Sequence, residues 1–264
     1  MIARILAIAG SDSGGGAGVQ ADIKTITMLG GHALTAITAL TAQNTLGVDR
    51  ILPVPADMVA AQIAAVVRDI GVDAVKIGMI GTADVADAAA AALSSMPCVP
   101  LVLDPVIVAS SGALLADAAT VAALGRLMRH AVLVTPNLPE LAALTGLPVD
   151  DEAAVERAAR MLAERTGAAV LAKGGHGAGD LLIDLLVTPD GLTRWRDARI
   201  ETRHTHGTGC TLSSAIATGL GAGLALPDAI TRARAYVRAA LRAAPGLGGG
   251  HGPMGHGLGA AHFS

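Results

Sequence analysis

Four short segments of the 264-residue chain combine glycine with side chains that could bind phosphate or metal, and three of them follow apolar runs typical of buried strands. The first, residues 10–18, is rich in glycine, so its backbone amides could approach a ligand closely. It lacks the Gly-Lys-Ser/Thr ending of a Walker A motif and the glycine spacing of a dinucleotide fingerprint. The first segment is therefore either a flexible turn or a ligand-binding loop of a kind other than these two motifs.

The second and third segments each carry a carboxylate. Asp104 begins the sequence Asp104-Pro105-Val106, where its oxygens could bind a hydrated Mg²⁺, although Asp-Pro is also an ordinary strand-ending turn. Glu140 closes residues 135–140 and stands three positions after Asn137. This Asn-to-Glu spacing forms a capping box at many helix starts without any metal. Both interpretations of both carboxylates remain open at this point.

The fourth segment, residues 205–211, precedes a helix of small residues. Unpaired amides and the helix dipole stabilise an anion at such a position, so we expect phosphate to bind there. The same field predicts a lower thiol pKa for Cys210 than for a free cysteine, with a small buried cysteine as the alternative. A cation, Lys173, follows another apolar run and could pair with phosphate oxygens, although an isolated lysine is usually solvated.

Short apolar runs alternate with alanine-rich stretches of helical period, which predicts a doubly wound α/β sandwich. We expect strands at residues 5–9, 74–77, 101–103, 132–134 and 168–172, and helices at 19–29, 83–93, 152–165, 211–221 and 228–243. A hairpin at residues 181–195 is expected to form an antiparallel edge around the turn signal Pro189-Asp190-Gly191. Ligands bind outside the carboxyl ends of parallel strands, so the four segments should meet there.

Composition excludes several classes of function. The net charge is −3, from 19 Lys and Arg against 22 Asp and Glu, and no basic stripe indicates a nucleic-acid partner. No apolar run of about 18 residues predicts a membrane span, and the N-terminus does not resemble a signal peptide, so a cytoplasmic location is expected. We expect one domain over residues 1–264, with a Gly- and His-rich tail from about 246, and a small-molecule ligand.

The order of the segments resembles the hydroxymethylpyrimidine kinase family within the ribokinase superfamily, from residue 5 to about 256. The matching segments are residues 9–22, 38–45, 76–79, 104–106, 137–140, 173–176 and 206–211. The resemblance implies a ribokinase-like three-layer α/β/α sandwich with a mostly parallel central sheet and an antiparallel edge.

The resemblance also implies a role for each matching position. The implied substrate-binding residues are Gln43, Gly10, Asp22, Met79 and Val106. The implied ligands of Mg²⁺ are Asp104 and Glu140, and the implied nucleotide-binding residues are Asn137, Lys173 and Thr208. The implied catalytic residues are Cys210, Lys173, Gly207, Thr208 and Gly209. Most ribokinase-like enzymes have an aspartate base where this chain has Cys210, and that difference points to the pyrimidine branch.

The implied activity is Mg²⁺- and ATP-dependent phosphorylation of 4-amino-5-hydroxymethyl-2-methylpyrimidine, and then of its monophosphate to the pyrophosphate, in thiamine biosynthesis. A homodimer is implied, and no fused thiamine-phosphate synthase is expected. One alternative is a pyridoxal or pyridoxine kinase of the same cysteine-bearing branch. A second is an inactive nucleotide-binding protein, which should lack one of Asp104, Glu140, Lys173 or Cys210, and all four are present.

Overall fold

A computed structural model describes residues 1–107, 117–176 and 180–258 of the chain. Its strands are β1 (Arg4–Asp12), β2 (His32–Gln43), β3 (Val48–Pro53), β4 (Ala74–Ile77), β5 (Leu101–Leu103), β6 (Leu133–Val134), β7 (Ala169–Ala172), β8 (Leu181–Thr188) and β9 (Gly191–Ala198). They form one sheet in the order β3-β2-β1-β4-β5-β6-β7-β8-β9. The six strands from β2 to β7 in this order run parallel, while β3 at one edge and the β8–β9 hairpin at the other are antiparallel.

The helices are α1 (Gly18–Met28), α2 (Ala56–Asp69), α3 (Ala83–Ser94), α4 (Ala118–Leu127), α5 (Leu138–Thr145), α6 (Glu152–Thr166), α7 (Thr208–Gly221) and α8 (Leu226–Arg242). They cover both faces of the sheet, and β1 shows why. Its Leu6 and Ile8 pack into one apolar cluster with side chains of α2 to α6, whereas Ile5 and Ala7 pack into a second cluster with α1, α7 and α8. This alternation creates two cores and confirms the expected α/β/α sandwich.

Most of the predicted elements are present, with small shifts at their ends, and the antiparallel hairpin is confirmed. The second antiparallel edge, formed by β2 and β3, was not predicted. Alanine and threonine recur among the apolar residues of β2, a pattern that does not separate a strand from a helix. Among the described residues, no helix is long and apolar enough to cross a membrane.

The C-terminal tail, described as far as residue 258, packs against the loops at the carboxyl edge of the sheet. The amide of His251 donates to the Thr45 carbonyl at 3.0 Å, and the amide of His206 donates to the Gly252 carbonyl at 3.2 Å. The buried His256 ring lies 2.8 Å from the Thr211 hydroxyl on α7. Two loops and one helix near the predicted site are therefore held by the tail.

A buried ion pair joins α1 to β4 beneath that edge. Lys76 Nζ lies 2.8 and 2.9 Å from the two carboxylate oxygens of Asp22, and both side chains are fully buried. The Ser214 hydroxyl of α7 donates to the same carboxylate at 2.7 Å. Burial raises the pKa of Asp22, and the charge of Lys76 opposes that rise. Three elements of the fold thus depend on one pair of charges that compensate each other.

We predict that Asp22→Asn destabilises the chain strongly because it leaves the Lys76 ammonium buried without its counter-charge. The expected loss in the free energy of unfolding is about 3–5 kcal/mol, measured by urea denaturation. The matched control is Asp87→Asn, which breaks an exposed ion pair with Arg126 at 2.7 Å and should barely move the midpoint. Equal shifts in the two variants would contradict this account of the buried pair.

Candidate active site

The four segments identified in the sequence meet at the carboxyl edge of the parallel strands. The β6–α5 connection approaches the end of β7, where the Lys173 amide donates to the Pro136 carbonyl at 2.9 Å. The two glycine segments touch, since a Cβ atom added to Gly207 would lie 1.9 Å from the Gly16 carbonyl oxygen. Gly207 also has φ 82°, so glycine is required there both for the backbone and for the close approach.

An ion pair between Asp104 and Lys173 lies at the centre of this edge. Lys173 Nζ is 2.6 Å from Asp104 Oδ1, and their side chains are 12% and 2% exposed. The Thr135 hydroxyl donates to the same oxygen at 3.0 Å. Burial lowers the pKa of Lys173, but the carboxylates of Asp104 and Glu140 outweigh it and raise the pKa. Lys173 is therefore a paired cation, and the alternative of an ordinary solvated lysine is wrong.

The first turn of α7 lies directly against this pair. A Cβ atom added to Gly209 would be 3.1 Å from both Asp104 Oδ2 and Lys173 Nζ. The helix can approach the charges this closely because position 209 has no side chain. The amides at the start of α7 thus lie beside a lysine and a carboxylate, an arrangement suited to an anion shared between them.

The capping box predicted as one interpretation of the third segment is present. The Asn137 side chain accepts from the Glu140 amide at 2.8 Å, and Glu140 Oε2 accepts from the Asn137 amide at 2.8 Å. Burial raises the pKa of Glu140 to about 7, with the negative charge of Asp104 adding to the rise and Lys173 opposing it. One carboxylate oxygen of Glu140 remains outside the capping box.

The carboxylates of Asp104 and Glu140 suit Mg²⁺, which often takes one or two carboxylates and completes its shell with water and phosphate. No cluster of three His, Cys, Asp or Glu side chains that could hold a metal occurs within residues 1–107, 117–176 and 180–258. Asp104 is close enough to Glu140 for its negative charge to raise the pKa of Glu140. The pair fits a hydrated divalent cation that a phosphate would help to hold.

Cys210 lies on the first turn of α7 and is partly exposed. Burial raises its thiol pKa, and the charges of Asp22 and Asp104 add to the rise, while Lys76 and the Gly18 amide oppose it. The predicted lower pKa is therefore wrong. Desolvation and two nearby carboxylates outweigh the charge of Lys76 and the Gly18 amide, which alone would lower the thiol pKa.

The glycine-rich segment folds around Asp12, a residue to which the sequence assigned no role. Residues 10–12 belong to β1, because Ser11 and Asp12 pair with β2 beyond a register shift, so the loop begins later than expected. The buried Asp12 carboxylate accepts from the amides of Gly14, Gly16 and Ala17 at 2.8–2.9 Å. Burial alone would raise its pKa, but the hydrogen bonds from His206 and from the amides of Ala17 and Gly14 lower it. Asp12 therefore stays ionised and holds the loop.

Gln43 lies on the wall of a cavity of about 260 Å³ formed by residues 43–47, His206 and His251. Its Nε2 is 3.1 Å from His206 Nε2, which in turn is 2.9 Å from Asp12 Oδ2. Of the other positions implied for substrate binding, Gly10 contacts Met79, since an added Cβ would lie 2.2 Å from the Met79 terminal methyl. Neither Gly10 nor Met79 is among the residues that form the cavity wall.

Val106 is also outside the cavity; its amide donates to the Asp104 carbonyl at 2.9 Å, beside the ion pair. Asp22 is fully buried, and its carboxylate is bound by Lys76 and Ser214.

The structure thus brings together Asp104, Lys173, Asn137, Glu140 and the first turn of α7, but it places Asp22 beneath them. The sequence analysis assigned no role to Asp12, Lys76 or His206. For Lys76, its position as a charged residue within an apolar strand could have indicated a buried ion pair.

Comparisons with known proteins identify the family to which the whole chain is similar. The sequence model of a family described as phosphomethylpyrimidine kinase matches residues 12–255. The hydroxymethylpyrimidine/phosphomethylpyrimidine kinase of Streptomyces coelicolor is 48% identical over 255 residues, which cover 96% of this chain and 94% of that protein. The thiamine biosynthesis bifunctional protein ThiED of Geobacter sulfurreducens is 49% identical over 253 residues, 96% of this chain. The chain spans about half of that relative, 52% of its length.

The structure is similar to that of the pyridoxal kinase from Bacillus subtilis, solved as an ADP complex. The TM-score is 0.88 at 30% identity, over 97% of this chain and 98% of that one. This likeness confirms the ribokinase-like class of the fold. The identity to this pyridoxal kinase is lower than the identity to the Streptomyces relative.

Proposed function

The chain belongs to the phosphomethylpyrimidine kinase family, and we propose that it transfers a phosphoryl group from ATP to 4-amino-5-hydroxymethyl-2-methylpyrimidine and then to its monophosphate, in thiamine biosynthesis. The observation that carries this proposal is the buried Asp104–Lys173 pair at 2.6 Å, covered by the glycine-bearing first turn of α7. Phosphoryl transfer depends chiefly on positioning and on neutralising charge. This edge of the sheet concentrates groups that do both.

The nucleotide phosphates would bind where the two positive features meet. Lys173 would exchange part of its contact with Asp104 for phosphate oxygens, while the amides of residues 207–210 stabilise charge on the transferring group. The Thr208 hydroxyl donates to the Thr205 carbonyl at 2.6 Å, which holds the loop before α7 in shape. Asn137, bridged to Lys173 through the backbone, would contact the nucleotide from the neighbouring loop.

Asp104 and Glu140 would hold Mg²⁺, directly or through water. The negative charge of Asp104 contributes to the raised pKa of Glu140, so a cation bound between these carboxylates would relieve their repulsion. When bound, Mg²⁺ supplies charge neutralisation on the phosphate oxygens. The capping box fixes the Glu140 side chain in place before any metal arrives.

Cys210 would act on the substrate hydroxyl as a neutral, hydrogen-bonding thiol. Its raised pKa leaves little thiolate at neutral pH, so the side chain orients the hydroxyl rather than removing its proton in advance. A loose transition state needs little help from a base, because the hydroxyl proton becomes acidic only as the new bond to phosphorus forms. Positioning is then the main contribution of Cys210.

The substrate ring would be recognised by Gln43 and enclosed by Gly10, Met79 and Val106, with Asp22 acting from below through Lys76. The ADP-bound pyridoxal kinase of similar fold supports ATP as the donor and keeps pyridoxal as the second candidate substrate.

We further propose one domain over residues 1–264, a homodimer and a cytoplasmic location, where ATP is available.

The substrate assignment predicts turnover of both pyrimidines, well above any turnover of pyridoxal. Purified protein is incubated with Mg-ATP and each of the three compounds, ADP release is measured, and the products are identified by phosphorus NMR. Activity on pyridoxal alone would instead assign the vitamin B6 substrate. If none of the three compounds is phosphorylated, the proposed activity is refuted, while the assignment of the fold is unaffected.

The proposed role of Cys210 predicts that Cys210→Ala lowers kcat by roughly tenfold or more, since a misoriented hydroxyl reacts slowly. The KM for ATP should change little. Cys98→Ala is the matched control, because Cys98 is exposed and remote from the site, and it should keep wild-type turnover. Unchanged kcat in Cys210→Ala would remove this thiol from the reaction.

A further inference from the structure

Three side chains, Asp12, His206 and Gln43, form a connected row, and the proposed chemistry gives no role to the first two. Asp12 is immobilised by three backbone amides and is 3% exposed, while His206 is 8% exposed. The row runs from this buried carboxylate to the wall of the cavity, through contacts of 2.9 and 3.1 Å. Both contacts use the same atom of the histidine, Nε2.

The carboxylate determines where the histidine proton lies. An ionised Asp12 can only accept hydrogen bonds, so an Nε2 atom at 2.9 Å from it must carry a proton. Once it carries that proton, Nε2 can donate but cannot accept. Its single proton lies between Asp12 Oδ2 and the Gln43 amide, so the amide presents its oxygen to His206 and shares that proton with Asp12, whereas its NH₂ group would meet a second donor.

The other neighbour of the amide requires the same orientation. The Thr41 hydroxyl gives its single proton to the Ser11 carbonyl at 2.8 Å, so it can only accept from Gln43, whose nearer amide atom lies 3.4 Å away. Half a turn about the last side-chain bond of Gln43 places Oε1 toward His206 and Nε2 toward Thr41 without changing the shape of the group. Two independent contacts thus favour one orientation of the amide.

We propose that His206 is a positioning residue that fixes the Gln43 amide and thereby sets the preference of the site for an aminopyrimidine. In this orientation Gln43 keeps one oxygen lone pair and one N–H that neither His206 nor Thr41 uses. An aminopyrimidine offers the matching edge, an amino N–H beside a ring nitrogen. A pyridoxal ring has no amino group next to its nitrogen and cannot make both bonds. This inference rests on the proposed function.

Kinetics of His206→Leu and His206→Gln test the inference. Loss of the histidine in His206→Leu should raise the KM for the hydroxymethylpyrimidine about tenfold, as expected for one lost hydrogen bond in a shielded site, with the KM for ATP unchanged. Its preference for the pyrimidine over pyridoxal should fall by a similar factor. His206→Gln keeps a donor near the place of Nε2 and should recover most of the loss.

The matched control is His130→Leu, which removes an exposed histidine at the opposite edge of the sheet and should leave every constant unchanged. A KM for the pyrimidine that stays at the wild-type value in His206→Leu, or a KM for ATP that rises equally, would overturn the inference while wild-type turnover upholds the kinase. Absence of pyrimidine turnover in the wild type would overturn both.

The proton on His206 can be observed apart from any activity. Long-range proton–nitrogen NMR of the wild-type imidazoles, assigned by the signal missing in His206→Gln, should show Nε2 protonated. An unprotonated Nε2 would overturn the inference whatever the kinetics, because the ring would then accept from Gln43 and no longer fix its oxygen.

Discussion

The packing of Gly209 against the Asp104–Lys173 ion pair is the constraint on which the rest of the site depends. Three separate parts of the chain must arrive at one point: the end of β5, the end of β7 and the first turn of α7. The helix contributes unpaired amides, the lysine a positive charge and the aspartate a counter-charge that keeps the lysine in place. Each group is nearly buried, so its charge acts with little screening by water.

Several other features of the fold serve this convergence. The Lys76–Asp22 pair lies beneath the site and bonds to α7 through Ser214, which connects the helix to the sheet. The C-terminal tail also holds α7, through the contact between His256 and Thr211. The glycine-rich segment, folded around Asp12, meets α7 at Gly207, where no larger residue fits. The position of the helix start is therefore fixed by contacts on several sides.

The sequence predicted the layered fold because buried parallel strands are short apolar runs, and the helices between them show a clear period. It did not predict the antiparallel β2–β3 edge, because the alanine and threonine residues of β2 give no clear strand or helix periodicity. Of the site, the strand-end residues were found because their positions follow from the fold. The thiol pKa of Cys210 was predicted in the wrong direction, since the sequence shows a helix start but not the depth of burial or the nearby carboxylates. The links among Asp12, His206 and Gln43 join residues up to 194 positions apart, and no local pattern reveals them.

The central claim is tested most directly by the turnover of Gly209→Ala, compared with Gly125→Ala in α4. Both changes replace a helical glycine, but an added Cβ meets nothing within 4 Å at position 125 and would lie 3.1 Å from both charged groups at position 209. The account predicts that Gly209→Ala displaces Lys173 and lowers kcat by roughly ten- to a hundredfold, while Gly125→Ala keeps full activity. Wild-type turnover in Gly209→Ala would contradict the claim that the contact between α7 and the ion pair builds the site.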